Sequence, residues 1–419
     1  MYPMPSLLQN MCLTMLVSIS AVSIKATSIS NSWVHPGVLL GEKQLSFIMN
    51  QLSNNSLPFN ASLEKALSYT WINSKTKASM SSDWNGTISC GFFDSHDYGC
   101  GNATNDGESA LLDAYLWGIT KDTKWSSRAI TILNYYATNL KQFANSGNGP
   151  LVAAWTADMW ARAAEILSST GANWGQSDIN AFGSMLVNAN LPLIYPVSCD
   201  NGNWHLSMIE GMIGISVFTE NSTLFNYALD NWKIRVPAYF YIDDDGPTHL
   251  PGPAVCGKYN PYWYNQLVFN SSVNGVSQET CRDFGHTAYG LASTFNVAET
   301  ALLQGIDLYT PNKKRLAAAL EFHAGFLNAG AEKGWPKNPY SKPSLNITSP
   351  FVCNNTQLHL GYSATYQVGL TGITRLGINL PETTKYVQEW VWKLSAGDQM
   401  GQYMYMYEPL THGAPAPAT

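Results

Sequence analysis

GPLVAAWTADMWARAAEILS, residues 149–168, sets the fold class. Leu151, Trp155, Met159, Ala163 and Ile166 recur at three- to four-residue spacing. That spacing lines one face of an α-helix with apolar side chains. The same pattern dominates the chain after residue 105. Helix starts carry residues that cap free N–H groups: Asp106 before Glu108, Asp122 before Trp125 and Ser222 before Phe225. Short polar turns follow apolar helices at Ile119–Asp122, Phe218–Asn221, Tyr309–Asn312 and Gly377–Pro381. They predict helices starting near Lys124, Leu224, Lys313 and Thr383. Irregular spacing excludes a tandem array of fixed period. The expectation is an all-α chain of antiparallel helical hairpins stacked around an axis, an (α/α) toroid, with an ordinary helical bundle as the alternative.

The whole chain bounds the reading further. Its 419 residues suit one large helical domain, and no interdomain linker interrupts them. Charged residues are only 12%, against about 25% in an average soluble domain. A surface wetted by Ser, Thr, Asn and Gln is a habit of extracellular proteins. The net charge of -6 argues against a nucleic-acid partner.

Export is supported from three directions. An apolar stretch from Met11 to Ile24, then small residues, reads as a signal peptide over 1–26, although no Lys or Arg precedes it. It is too short and Ser-rich for a membrane span, and no later segment spans one. The domain is then 27–411, and the Ala/Pro-rich stretch 412–419 a loose tail. Outside the signal six cysteines remain, an even number: Cys90, Cys100, Cys199, Cys256, Cys281 and Cys353. Short loops favour Cys90–Cys100 and Cys256–Cys281, leaving Cys199–Cys353; free thiols are the alternative. Glycosylation sequons start at Asn54, Asn60, Asn85, Asn102, Asn221, Asn270, Asn346 and Asn354.

Two regions break the helical pattern. Residues 76–105 are rich in Ser, Gly, Asn and Asp. Residues 242–281 hold Asp243-Asp244-Asp245-Gly246-Pro247 and Tyr262-Trp263-Tyr264. Long loops in a compact domain tend to be functional. The Asp run is expected to be a solvated turn rather than a cation site.

The chemistry concentrates in Cys281-Arg282-Asp283-Phe284-Gly285-His286-Thr287-Ala288-Tyr289-Gly290, which opens a helix expected to reach Gly305. At 100° per residue, Arg282, His286 and Tyr289 fall on one face. A cation, an imidazole and a phenol together suit abstraction of a proton α to a carboxylate. Arg282 can offset the carboxylate charge, and an amide such as Asn203 can hold the developing aci-carboxylate. A free Tyr is a weak acid, with a pKa near 10; nearby Arg and His⁺ would favour its ionised form. Such a Tyr can take the proton from C5 and return it to the leaving O4. The bland alternative is a solvated stripe with a satisfied His. The second constellation is Asn201-Gly202-Asn203-Trp204-His205, opening another helix. Asn203 is either a plain cap or an amide at a helix mouth, beside an indole and an imidazole suited to a sugar acid. His359 and Tyr366 form a weaker stripe at i, i+7. No HExxH, P-loop, GxSxG, CxxC or dinucleotide fingerprint occurs, so metal, nucleotide and serine-hydrolase chemistry lack support and no cofactor is expected.

These strings carry a resemblance. RDFGHTAYG (282–290), Ala298-Glu299, Gln304-Gly305-Ile306-Asp307-Leu308-Tyr309, GNWHL (202–206) before Ile213-Gly214-Ile215, Trp33-Val34-His35-Pro36-Gly37-Val38 and Ala153-Ala154-Trp155-Thr156 together resemble the alginate lyase family. The resemblance runs from about residue 33 to 310. It implies an incomplete (α/α) toroid and β-elimination on β-linked uronans such as mannuronan or glucuronan. It also implies a site of Asn, His, Arg and Tyr, with Arg and Tyr seven residues apart, as Arg282 and Tyr289 are. The His does not map cleanly. Trp204 separates Asn203 from His205, where the best-known branch has an adjacent pair. Some related lyases take the His from a loop some fifty residues after the Asn, near His249 in Pro247-Thr248-His249-Leu250-Pro251. His249 and His286 therefore rank together, ahead of His205.

The expected activity is a secreted polysaccharide lyase, a monomer whose partner is an anionic polysaccharide. Tyr289, Arg282, Asn203 and His249 or His286 act; His205, Trp204, Trp155, Trp263 and Tyr264 bind. Two rivals stand. An (α/α)-barrel glycoside hydrolase needs two carboxylates about 5 to 9 Å apart, drawn from Asp94, Asp97, Asp158, Glu210 and the Asp243 run. A non-catalytic carbohydrate-binding protein needs only the tryptophans.

Overall fold

The computed structural model describes residues 32–68, 75–91, 98–197, 201–252, 262–333, 345–360, 365–393 and 407–413. The expected signal peptide, Asp94, Asp97, Cys199, Cys256 and residues 414–419 lie outside them.

Helices dominate. In chain order they are α1 (Glu42–Ser53), α2 (Phe59–Ser68), α3 (Cys100–Thr120), α4 (Thr123–Asn139), α5 (Gly149–Ser169), α6 (Gln176–Met185), α7 (Leu191–Ile194), α8 (Gly202–Phe218), α9 (Ser222–Tyr239), α10 (Phe284–Leu303), α11 (Tyr309–Glu332), α12 (Gln367–Thr374), α13 (Pro381–Glu389) and α14 (Glu408–His412). A π turn at Leu186–Asn190 joins α6 to α7. Two small strand pairs accompany them: β1 (Thr87–Cys90) parallel to β2 (Gln142–Gly147), with Ile88 beside Phe143, and β3 (Leu345–Thr348) antiparallel to β4 (Gln357–Leu360).

Successive hairpins build an (α/α) toroid. The inner helices α3, α5, α8, α10 and α12 contact one another in that order, and α4, α6, α9, α11 and α13 lie outside them. Short α14 and α1 stand between α12 and α3 in place of a further hairpin. The burial pattern explains the division. Outer α4 buries one stripe (Trp125, Ala129, Ile132, Leu133, Tyr136). Inner α8 buries every residue from Gly202 to Val217 except Trp204. Helix α5 buries both its apolar face and Asp158, Arg162 and Glu165, because an inner helix has neighbours on both flanks. Close approach is possible where side chains vanish: a Cβ on Gly211 would lie 2.9 Å from the Ala154 carbonyl oxygen, and one on Gly214 2.9 Å from Ala161 Cβ.

The inner helices run in the same direction. Ser207 meets Trp155 near the starts of α8 and α5. Further along, Gly214 meets Ala161, and Asn296 of α10 meets Glu210. Their N-termini gather at one end of the toroid. At the other end, Ser32–Gly41 is strapped down. Gln304 binds Val34 through both backbone groups, and Glu165 accepts the Gly37 N–H at 2.8 Å and the His35 imidazole at 3.0 Å.

Several expectations shift. Asp122 caps α4 as read. Asp106 caps nothing: α3 begins earlier, and the buried carboxylate accepts from Lys75, Ser79 and Tyr136. Asn221 rather than Ser222 caps α9, accepting from Leu224 N–H. The turn before α11 is 304–308, one step ahead of Tyr309–Asn312. Cys90–Cys100 forms as expected, but Cys281 bonds Cys353, so neither Cys256–Cys281 nor Cys199–Cys353 exists. Loop length misled there, because the β3–β4 hairpin returns to the start of α10. His412 ends α14 and is buried rather than loose. Asp243–Asp245 is a turn whose carboxylates are held by Lys314 and Arg315. No helix among the described residues is long and apolar enough to cross a membrane.

Candidate active site

The start of α8 is wired to a loop far along the chain. Its N-cap, Asn201, makes no side-chain cap bond. The first free N–H groups find Gln278 and Glu279 instead: Gly202 N–H donates to Gln278 Oε1 at 3.0 Å, and Asn203 N–H to Glu279 Oε2 at 3.1 Å. Asn203 Nδ2 also donates to the Glu279 oxygens at 2.7 and 2.8 Å. Asn203 is thus no cap. Gly202 is required here, since a Cβ would lie 2.0 Å from the Tyr239 ring.

Glu279 is fully buried at the helix N-terminus, where the peptide dipole favours an anion. It also accepts from Tyr239 Oη at 3.0 Å and pairs with Arg282 Nη1 at 3.0 Å. A protein carboxylate therefore occupies the helix mouth that the sequence offers to a sugar acid. Burial, then the Glu279 charge, push the Tyr239 phenol well above its ordinary value, so it stays protonated and donating.

Asp283 caps α10, accepting the His286 N–H through Oδ1 at 2.8 Å. Its Oδ2 lies 2.7 Å from His286 Nδ1. Burial raises the Asp283 carboxyl, but the hydrogen bond and charge of His286 outweigh it and hold it below its ordinary value. Arg282 precedes the cap, so helical spacing does not place it with His286 and Tyr289; its bond to Glu279 ties it to Asn203. Its guanidinium lies 5.7 Å from the Tyr264 ring centroid. One turn beyond His286, Tyr289 stacks on Trp155 with centroids 5.0 Å apart and planes at 24°. Trp155 Nε1 donates to Ser207 Oγ at 3.3 Å. That layer joins α5, α8 and α10.

The histidines separate. His205 is buried, and its Nδ1 accepts from Arg235 Nε at 2.9 Å. Burial, then the Arg235 charge, hold it well below its ordinary value, so it is neutral. With no accessible surface it cannot bind substrate, which corrects its assignment. The residue sits on the side of α8 that faces the outer helix α9. His249 is half-buried, with Nδ1 3.0 Å from the Leu250 carbonyl and its ring stacked on Trp263 at 4.8 Å. Trp263 is buried beneath it and offers no open face for a sugar, again a correction. Trp204, Trp155 and Tyr264 are half-buried.

Of the rival carboxylates, Asp94 and Asp97 lie outside the described residues, and the Asp243 run is held by Lys314 and Arg315. Asp158 and Glu210 are buried and share Arg162. Burial first raises both carboxyls. His359 is exposed on β4 while Tyr366 is buried against Tyr386, so they form no common stripe. Sequence reasoning missed Glu279, Gln278 and Tyr239. The one signal for Glu279 was its place three residues before Arg282, a spacing suited to an ion pair.

No protein-family model and no curated protein matches the chain. Solved structures do match. Alginate lyase A1-III from Sphingomonas species A1 aligns with TM-score 0.50 at 14% identity, over 75% of this chain and 86% of that one. A histidine-to-alanine variant of alginate lyase A1-III, complexed with tetrasaccharide, aligns with TM-score 0.52 at 15% identity, over 82% and 91%. An alginate lyase from Bacteroides ovatus aligns with TM-score 0.51 at 12% identity, over 85% and 96%. The chain shares their helical toroid fold.

Proposed function

We propose that this chain is a polysaccharide lyase that cleaves a β-1,4-linked uronic-acid polymer, mannuronan or glucuronan, by β-elimination. One observation carries the reading: buried Glu279 holds both Asn203 at the start of α8 and Arg282 just before α10, and His286 and Tyr289 follow on α10. Arg282 stands at this end and can hold a substrate carboxylate although the chain is negative overall. The fold shared with alginate lyases supports the same reading.

Arg282 spends one Nη1 contact on Glu279 and has further N–H groups for the C5 carboxylate. Asn203 Nδ2 gives one hydrogen to Glu279; its second, now 3.2 Å from Asn201 Oδ1, is the one a substrate carboxylate takes over. Both stabilise the charge that develops when the C5 proton leaves. Tyr289 takes that proton. The C4–O4 bond then breaks, C4=C5 forms, and the proton passes to O4. His286 is the preferred partner, because Asp283 fixes its Nδ1 and its place one turn from Tyr289 leaves Nε2 for the sugar. His249 is the second candidate. The disulfides support an exported enzyme.

Ultraviolet absorbance during incubation with poly-mannuronate, poly-guluronate, glucuronan and a neutral glucan tests this. A rise with one uronan is expected from the 4,5-unsaturated product. A flat trace with all of them, from folded protein, would overturn it.

A further inference from the structure

The turn 262–268 alternates anchors and exposed side chains. Trp263 is buried against His249 and edge-on to Phe269 at 5.2 Å. Gln266 is buried too, accepting the Cys353 N–H at 2.9 Å and donating to the Val268 carbonyl. It thereby ties the turn to the Cys281–Cys353 bridge, beside Arg282. Between the anchors the backbone is left-handed at two successive residues, Tyr264 (φ 45°) and Asn265 (φ 70°). A bulky side chain in that region is strained, and such strain persists where the surroundings dictate it, often at ligand clamps. The turn leaves Tyr262 62% exposed, its ring edge-on to Tyr264 with centroids 4.7 Å apart. Tyr264 in turn carries the Arg282 guanidinium. Leu267 and Phe351 are exposed nearby.

We propose that Tyr262 is the platform of an outer sugar subsite, on which a pyranose ring of the polymer stacks away from the cleavage point. The proposal rests on the lyase reading and extends it to substrate length. An aromatic face suits the C–H face of a sugar, and a phenol tip can remain wet. The two spacings place the Tyr262 ring within about 10 Å of the Arg282 guanidinium, a reach of one or two pyranose rings. A polymer held by Arg282 through one carboxylate therefore lays a neighbouring residue over Tyr262. This continuity with the site favours the polymer over a protein partner as the occupant of the exposed patch.

Steady-state kinetics on polymer and on oligomers of decreasing length test it, comparing wild type with Tyr262→Ala and Tyr262→Phe. For Tyr262→Ala the KM on polymer is expected to rise about ten-fold with kcat nearly unchanged. The phenylalanine variant restores KM, and the difference vanishes on the shortest oligomers cleaved. An unchanged KM at every length overturns the subsite, as does an equal loss at every length accompanied by a lower Tm. Self-association in the ultracentrifuge that Tyr262→Ala abolishes while KM stays constant would assign the patch to a second copy of the chain and overturn it too. Absence of any ultraviolet product from wild type is a different failure, that of the lyase reading itself.

Discussion

Glu279 receives both the backbone and the side-chain N–H of Asn203, at 3.1 Å and at 2.7 to 2.8 Å. One buried carboxylate thus sets the amide, and through Arg282 Nη1 the cation, of the candidate site. Replacing it with alanine leaves Arg282 without that partner and Asn203 with unmatched donors. A buried donor left unmatched costs about 1–3 kcal/mol, and Asn203 loses both its backbone and side-chain acceptor, so Glu279→Ala should lower Tm strongly. Glu279→Gln keeps acceptors for Asn203 and loses the charge facing Arg282. It should fold and lose turnover on a uronan by about ten- to a hundred-fold. Thermal melts and the ultraviolet assay read both, and a fully active glutamine variant would show that the site does not need this carboxylate.

Tyr289→Phe removes one oxygen and leaves the stack on Trp155 in place. Its Tm should stay close to wild type and oligosaccharide binding should persist. Turnover should fall by about 10²- to 10⁴-fold, the usual range for a general acid–base group. Retained turnover would move the proton transfer to another residue. Lost binding with lost turnover would point to a role in positioning instead.

The Asp283 carboxyl both caps α10 and holds His286. Its folded pKa is depressed, so its contribution is present above the ordinary carboxylate value near 3.9 and fades as pH falls through the folded value. Asp283→Ala should cost about 1 kcal/mol from the lost cap, measured by denaturant melts at neutral pH. The gap to wild type should close on acidification. A gap that widens in acid would contradict the assigned sign.

What was legible in the sequence follows from what is local. The 3.6-residue spacing of Leu151, Trp155 and Met159 sufficed for the helix and the hairpins for the toroid, because both depend on neighbours in the chain. Arg282, Tyr289 and Asn203 were legible as candidates, since their residue types and spacing are local. Glu279 was not, because its meaning lies in reaching Asn203 across 76 residues. His205 misled for the same reason. It sits beside the right motif, but an inner helix turns it toward Arg235 of α9. The Cys281–Cys353 pairing depends on where the β3–β4 hairpin folds back, which loop length does not encode.

That bridge closes a loop of 72 residues. The chain-entropy account gives about 4 kcal/mol for such a loop, with measured values of about 2–4. Cys353→Ala should therefore lower stability by this amount in denaturant melts. It should also raise KM for the polymer more than kcat falls, since Gln266 and the Tyr262 turn lean on Cys353. A KM unchanged against a lowered Tm would confine the bridge to stability.

At the opposite end of the toroid, His35 lies between Glu165, at 3.0 Å from Nδ1, and Glu220, at 3.4 Å from Nε2. The Glu165 hydrogen bond raises the imidazole above its ordinary value despite partial burial, and the charges of both glutamates add to it. A raised folded value means that the protonated form is favoured in the folded chain. The stabilisation is therefore complete below about pH 6.5 and is lost as pH rises through the folded value. His35→Gln keeps a polar side chain on the strap and removes the charge. Its Tm deficit should be greatest in mildly acidic buffer, corresponding to about 1–2 kcal/mol for a charged hydrogen bond, and should shrink in alkaline buffer. Activity should follow stability only, because the strap sits at the C-terminal ends of α5 and α10, away from Tyr289. If the deficit instead grew with pH, the neutral imidazole would be the form that the folded chain favours.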